Sequence, residues 1–201
     1  MRAVIVCGGN VGEYIKKYIK PGDFIICADS GYDRAKKYGI EPDIVIGDMD
    51  SVKNGCVHEN KLVYPARKDF TDSELAISYV LEHGYDELLL FGMIGTRMDH
   101  TLANISLLKR LKNVSAVIID ANNEIYFTDN QITLKGCKGD IVSIIPFEGD
   151  VLGVTTKGLD YALTDGVIKS GTTLGVSNVM TENECSITVK KGAAFIIRSK
   201  D

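Results

Sequence analysis

The feature that most restricts the fold is a change of pattern near residue 122. Before it, short apolar runs alternate with helical patterns. Ala3–Cys7, Phe24–Ala28, Ile44–Gly47, Lys61–Tyr64, Glu87–Phe91 and Val114–Asp120 read as buried strands. Glu13–Tyr18, Asp33–Tyr38, Thr71–His83 and Asp99–Lys112 read as helices. Such alternation predicts a parallel sheet covered by helices. After Asn122 the helical period disappears. Glu124–Phe127, Gln131–Lys135, Asp140–Pro146, Val151–Thr156, Gly166–Lys169, Ser186–Lys190 and Ala193–Arg198 read as strands, with turn signals at Asp129-Asn130 and Lys191-Gly192. Many short strands at close spacing predict a small sandwich or barrel.

Two helices carry the clearest local signals. Thr71-Asp72-Ser73-Glu74 has the form of a capping box, in which Thr71 caps the helix start and Glu74 reaches back. In the next helix Leu102, Ile105, Leu108 and Leu111 recur at helical spacing, which predicts one face on the sheet.

Composition narrows the function classes. The chain has 201 residues, enough for one or two domains, and 25% of them are charged. Its net charge of -4 lacks the broad cationic field of a nucleic-acid binder. No apolar run approaches the roughly 20 residues of a membrane span. The apolar start, Ala3–Cys7, is too short for a signal peptide, so a cytoplasmic place is expected. The cysteine count of 5 is odd and no pair forms CxxC, so structural thiols are expected rather than a zinc cluster.

The chemistry concentrates where strands end. The second strand runs into Asp29-Ser30-Gly31 and the third into Gly47-Asp48-Met49-Asp50-Ser51. The fourth leads to Arg67-Lys68-Asp69-Phe70-Thr71-Asp72, and the fifth to Gly95-Thr96-Arg97-Met98-Asp99-His100. Ligands of open parallel sheets bind outside the carboxyl ends of the strands. Carboxylates crowded on that edge repel, and a divalent cation offsets the repulsion. Hard oxygen donors without His or Cys select Mg2+. Asp48-x-Asp50 after Gly47 is a metal or phosphate-metal candidate, although the same pattern also caps turns. Gly95 permits close approach to a ligand, and Arg97 offers forked donors to a phosphate. Asp99 suits a helix cap as well as a site. His100 has the chemistry of an acid or base, yet no nucleophile pattern accompanies it, and a local helix-start role accounts for it better. Gly8-Gly9-Asn10 reads as a plain turn or a phosphate-approach turn.

Taken together, Gly47-Asp48-Met49-Asp50-Ser51, Lys68-Asp69-Phe70-Thr71-Asp72 and Gly95-Thr96-Arg97-Met98-Asp99-His100 resemble the acidic motifs of bacterial thiamine pyrophosphokinases. Gly158-Leu159-Asp160-Tyr161-Ala162-Leu163 and Gly175-Val176-Ser177-Asn178 resemble that family's vitamin-site motifs. The resemblance runs in order from Cys7 to Ser199. It implies an α/β chain with two domains. Residues 1–122 would form a Rossmann-like parallel sheet with flanking helices that binds nucleotide and carries catalysis. Residues 123–201 would form an all-β sandwich that binds thiamine. It implies ATP as co-substrate, Mg2+ as cofactor, and a homodimer with the vitamin between subunits. The implied reaction moves the pyrophosphoryl group of ATP to the hydroxyethyl oxygen of thiamine, releasing AMP. Asp48, Asp50, Asp72 and Asp99 would hold magnesium, and with Arg97 they form the expected catalytic set. Asp29, Lys68, Asp69, Gly95, Arg97 and His100 would line the nucleotide site. Ser177 and Asn178 would contact thiamine. Tyr161 stands where eukaryotic members carry tryptophan, and its ring would stack on the cationic vitamin. A diphosphokinase for another alcohol, or a sensor without turnover, are the alternative readings.

Overall fold

Ala3, Val4, Ile5 and Val6 are all 0% exposed, a pattern that a strand shows only when both its faces are covered. They lie in β1 (Arg2–Val6). The computed structural model describes residues 1–52 and 55–200. It is a mixed α/β protein, and the chain divides into two units, Met1–Ala121 and Asn122–Asp201.

In the first unit β1 sits inside a parallel sheet with β2 (Phe24–Ala28), β3 (Ile44–Gly47), β4 (Lys61–Val63), β5 (Glu87–Phe91) and β6 (Ser115–Ile119). The spatial order is β4, β3, β2, β1, β5, β6. Strands therefore add outward from β1 on one side, and the chain then returns to add β5 and β6 on the other. That reversal opens a crevice above β1, at the carboxyl ends of the strands.

The helices are α1 (Gly31–Lys37), α2 (Asp72–Glu82) and α3 (Met98–Ser106). Thr71 caps α2 as expected, its Oγ1 accepting from the Glu74 amide at 3.3 Å. The return bond of the capping box is not made, because the Glu74 carboxylate pairs with Arg110. The helix expected over 99–112 ends as an α-helix at Ser106 and continues as a 3-10 turn over Leu107–Leu111. Its inward face also differs from the leucine pattern. Leu108 and Leu111 are buried, but Leu102 is 61% exposed, and Thr101 and Asn104 point inward instead. Glu13–Lys17 is a 3-10 helix rather than an α-helix.

The second unit holds β7 (Asn123–Thr128), β8 (Gln131–Lys135), β9 (Ile141–Lys157), β10 (Gly166–Ile168), β11 (Asn178–Val179), β12 (Glu184–Thr188) and β13 (Lys191–Ser199). Their pairings are antiparallel and centre on β9, which meets β10, β11, β12 and β13. Two expected strands, 140–146 and 151–156, are one strand of 17 residues. It bends at Glu148 (φ 62) and Gly149 (φ 126); β11 pairs with the first half and β10 and β12 with the second, while β13 pairs on both sides of the bend. Val142, Val151, Val154, Ile168, Ile187 and Ile196 fill the core between them. Among the described residues no helix is long and apolar enough to cross a membrane.

Candidate active site

The crevice above β1 is a cleft of about 340 Å³. Residues after β1 (Gly8, Gly9), β2 (Asp29), β3 (Asp50) and β5 (Gly95, Arg97) line it. Two of its loops touch backbone to backbone. The Gly9 amide donates to Gly92 O at 2.9 Å and the Asn10 amide to Ile94 O at 2.7 Å. A Cβ on Gly9 would lie 2.3 Å from Ile94 O, so the glycine turn after β1 is required by this close approach. Thr101 and Asn104 hold the loop from the other side. Asn104 Nδ2 donates to Met93 O at 2.9 Å, and Thr101 Oγ1 accepts from the Gly95 amide at 3.1 Å. Their inward position on α3 therefore fixes a wall of the cleft. The leucine period hides this, because a helix face is normally recognised by its apolar residues.

The acidic groups do not all converge. Asp29, Asp48 and Asp50 each offer an oxygen, and these atoms lie within 4.8 Å of one another. Asp29 enters this group by a backbone turn at φ 47, a conformation that Asp tolerates better than most residues. Its Oδ1 is buried without a hydrogen-bond partner. Unscreened, each pair of charges at that spacing repels by roughly 3 kcal/mol at an effective dielectric near 20, less at exposed Asp50. Three hard oxygen donors with an unsatisfied buried oxygen among them fit a divalent cation.

Asp72, at the start of α2, faces the same cleft from beside Gly47. With φ +144, Gly47 has no Cβ to strike the Asp72 carboxylate, which would lie 3.0 Å away. Lys68 bridges the two loops. Its Nζ is 3.2 Å from Asp48 Oδ2 and 3.1 Å from Asp72 Oδ1, the second contact being an ion pair off the hydrogen-bonding line. Burial pushes the Asp72 carboxyl up, and the opposing pull of Lys68 does not offset it. Burial acts on Asp48 in the same sense, but the Asp50 amide and the Lys68 ammonium outweigh it and hold Asp48 below its ordinary value.

Asp99 is placed differently. Arg97 grips it with two nitrogens, Nε at 3.2 Å and Nη2 at 2.5 Å, and both side chains are exposed. The guanidinium holds the Asp99 carboxyl down to about 2. Arg97 and His100 line the cleft, and Asp69 stands exposed on the loop before α2.

In the second unit Tyr161 is 72% exposed. Asn178 is buried and fully engaged. Its Oδ1 accepts from the Tyr161 amide at 2.9 Å, and its Nδ2 donates to Tyr161 O at 2.7 Å. Ser177 adopts φ 60, and its amide donates to Ser143 Oγ at 3.1 Å. Asn178 thus grips the backbone that presents the Tyr161 ring.

Comparison with known proteins bears on both units. The family model "Thiamin pyrophosphokinase, catalytic domain" matches residues 15–120. The model "Thiamin pyrophosphokinase, vitamin B1 binding domain" matches residues 124–194. A thiamine pyrophosphokinase of Bacillus subtilis is 32% identical, covering 98% of this chain and 98% of that protein. A crystal structure of thiamine pyrophosphokinase from Bacillus subtilis superposes with a TM-score of 0.89 at 30% identity, covering 100% of both chains. A thiamin pyrophosphokinase structure from Geobacillus thermodenitrificans also gives 0.89, at 28% identity, with 100% of this chain and 98% of that one covered.

Proposed function

The chain belongs to the thiamine pyrophosphokinase family, and we propose that it transfers the pyrophosphoryl group of ATP to thiamine, giving thiamine diphosphate and AMP. The observation that carries the reading is the acidic cleft at the strand-order reversal of a chain matched along both parts by this family. The hydroxyethyl oxygen of thiamine forms a bond to the β-phosphorus, and the bond from that phosphorus to the α,β-bridging oxygen breaks. AMP leaves with that oxygen.

Residues 1–122 serve in this reading as a Rossmann-like nucleotide-binding and catalytic domain. Residues 123–201 serve as a β-sandwich that binds the vitamin. Asp29, Asp48 and Asp50 would hold magnesium, with Asp72 beside them, while Asp99 would serve by orienting Arg97. Bound there, the ion would neutralise phosphate charge. Lys68 and Arg97 meet the triphosphate where Gly95 leaves room for close approach, with Asp69 and His100 at the rim. Positioning and positive charge account for most of the acceleration of such a transfer. Asp72 is the better acceptor for the hydroxyl proton. Its carboxyl is raised by burial, whereas Arg97 holds Asp99 too low to be an effective base.

Tyr161 stacks on the vitamin, with Ser177 and Asn178 shaping the pocket. Tyr161, Val167, Leu174 and Val176 are exposed apolar residues in one segment, which supports a homodimer with the thiamine site between subunits. Four buried free thiols and exposed Cys137 suit a cytoplasmic, reducing place.

Asn178→Ala is expected to loosen Tyr161 and raise KM for thiamine about tenfold, with KM for ATP little changed. Steady-state kinetics with each substrate varied separates the two. The overall reading is tested by mixing the protein with thiamine, ATP and Mg2+ and following products by chromatography. Equimolar AMP and thiamine diphosphate are expected. ADP with thiamine monophosphate would overturn the reading, and thiamine binding without products would favour a sensor.

A further inference from the structure

Both oxygens of Asp48 are already engaged. Oδ1 accepts from the Asp50 amide at 3.2 Å and Oδ2 from Lys68 Nζ at 3.2 Å. The Lys68 side chain is 12% exposed, against 14% for Asp48 and 22% for Asp72, so this is not a solvated surface pair. The ammonium also donates to Pro65 O at 3.3 Å, which aims it between the two carboxylates. One Asp48 oxygen also lies within 4.8 Å of an oxygen of Asp29 and an oxygen of Asp50. A cation held by those three carboxylates would sit close to the ammonium, and two like charges in a partly buried place repel strongly.

We infer that Lys68 is a built-in counter-ion for the acidic cluster, exchanged for the divalent cation rather than present beside it. Before the cation arrives, Lys68 offsets the repulsion between Asp48 and Asp72 and keeps the two loops together. When the cation takes Asp48, Lys68 gives up that contact. Its long flexible stem then carries a positive charge free to meet an anion in the cleft. This deepens the proposed function and rests on its assignment of a cation to Asp29, Asp48 and Asp50. Under that function, the anion released Lys68 meets is the triphosphate. Metal and nucleotide binding are then coupled through one side chain.

The test is Mn2+ binding to the whole protein with no nucleotide and no thiamine, read from the electron paramagnetic resonance of free Mn2+. Lys68→Gln keeps most of the length and polarity of the side chain and removes its charge. It is expected to bind Mn2+ roughly tenfold or more tightly than the natural chain. A damaged site would bind a cation more weakly, so a gain cannot come from misfolding. Equal or weaker binding in Lys68→Gln would overturn the exchange. Asp48→Asn is expected to lose most of the Mn2+ affinity, and undiminished binding there would also overturn it. Products play no part in this readout. A protein that made ADP instead of AMP would fail the functional reading and leave the exchange standing.

Discussion

Asp48→Asn is expected to lower kcat by about a thousandfold or more while leaving the protein folded. The cleft asks Asp48 to do three things: supply an oxygen to the cation site, accept the Asp50 amide, and pair with Lys68. Asparagine keeps the size and one acceptor oxygen but removes the charge. Loss of a well-placed cation contact in phosphoryl chemistry is worth several kcal/mol, and each 1.36 kcal/mol is a factor of ten in rate. Stability should fall only slightly. Asp29 and Asp50 lose a like-charged neighbour, but the Lys68 pairing and the Asp50 amide bond that hold the Asp48 carboxyl down lose their charged partner, so without metal the melting temperature of the variant should lie slightly below that of the natural chain. Kinetics and thermal unfolding on the same samples check both halves. Turnover within tenfold of normal would remove Asp48 from the catalytic machinery.

Arg198→Met is expected to cost about 3 kcal/mol of stability in the second unit, because it leaves two partly buried carboxylates without their cation. Arg198 on β13 stands opposite Glu124 on β7 and is 8% exposed. Its Nη1 donates to Asp140 Oδ2 at 2.6 Å, and its Nε donates to Glu124 Oε2 at 3.2 Å. The Tyr126 hydroxyl donates to the same Glu124 oxygen at 2.6 Å. Methionine fills much of the space but satisfies neither acid. For a chain of this size the loss corresponds to a fall of about 10 °C in melting temperature.

The pH dependence identifies the cause. Burial acts to raise the Asp140 carboxyl, but the Cys137 amide and Arg198 outweigh it and hold it below its ordinary value. A depressed carboxyl stabilises the fold fully above its unfolded pKa, near 4, and that contribution is lost as pH falls through the folded value. The natural chain should therefore lose stability below about pH 4, whereas the variant, with no pair to lose, should lose less. The gap between them narrows in acid. A gap independent of pH would assign the loss to packing.

Much of the fold is legible because the inner parallel strands are apolar on both faces and the helices carry local signals such as Thr71, whereas β4, which reads as a buried strand, is exposed along its length at the end of the sheet. The acidic loops were readable as one site for a topological reason: in a parallel sheet the segments after every strand come out on one edge. What stays hidden depends on side-chain direction. Asp29 joins Asp48 and Asp50 through a left-handed turn that no motif announces. Thr101 and Asn104 look like breaks in an apolar stripe, yet they face inward because the loop after β5 needs donors and acceptors. The stretch between 140–146 and 151–156 reads as a gap between two strands, but pairing with β13 continues through Pro146 to Phe147, and the chain bends rather than stops. The role of Asn178 is hidden in the same way, since its partner is the backbone of Tyr161, 17 residues earlier.

In the proposed reaction two phosphoryl groups move together. ATP labelled at the β-phosphorus in one reaction and at the γ-phosphorus in another, each with thiamine and Mg2+, follows both of them. Both labels are predicted to appear in thiamine diphosphate at equal yield, with unlabelled AMP as the other product. Label reaching thiamine from the γ position alone would contradict the account.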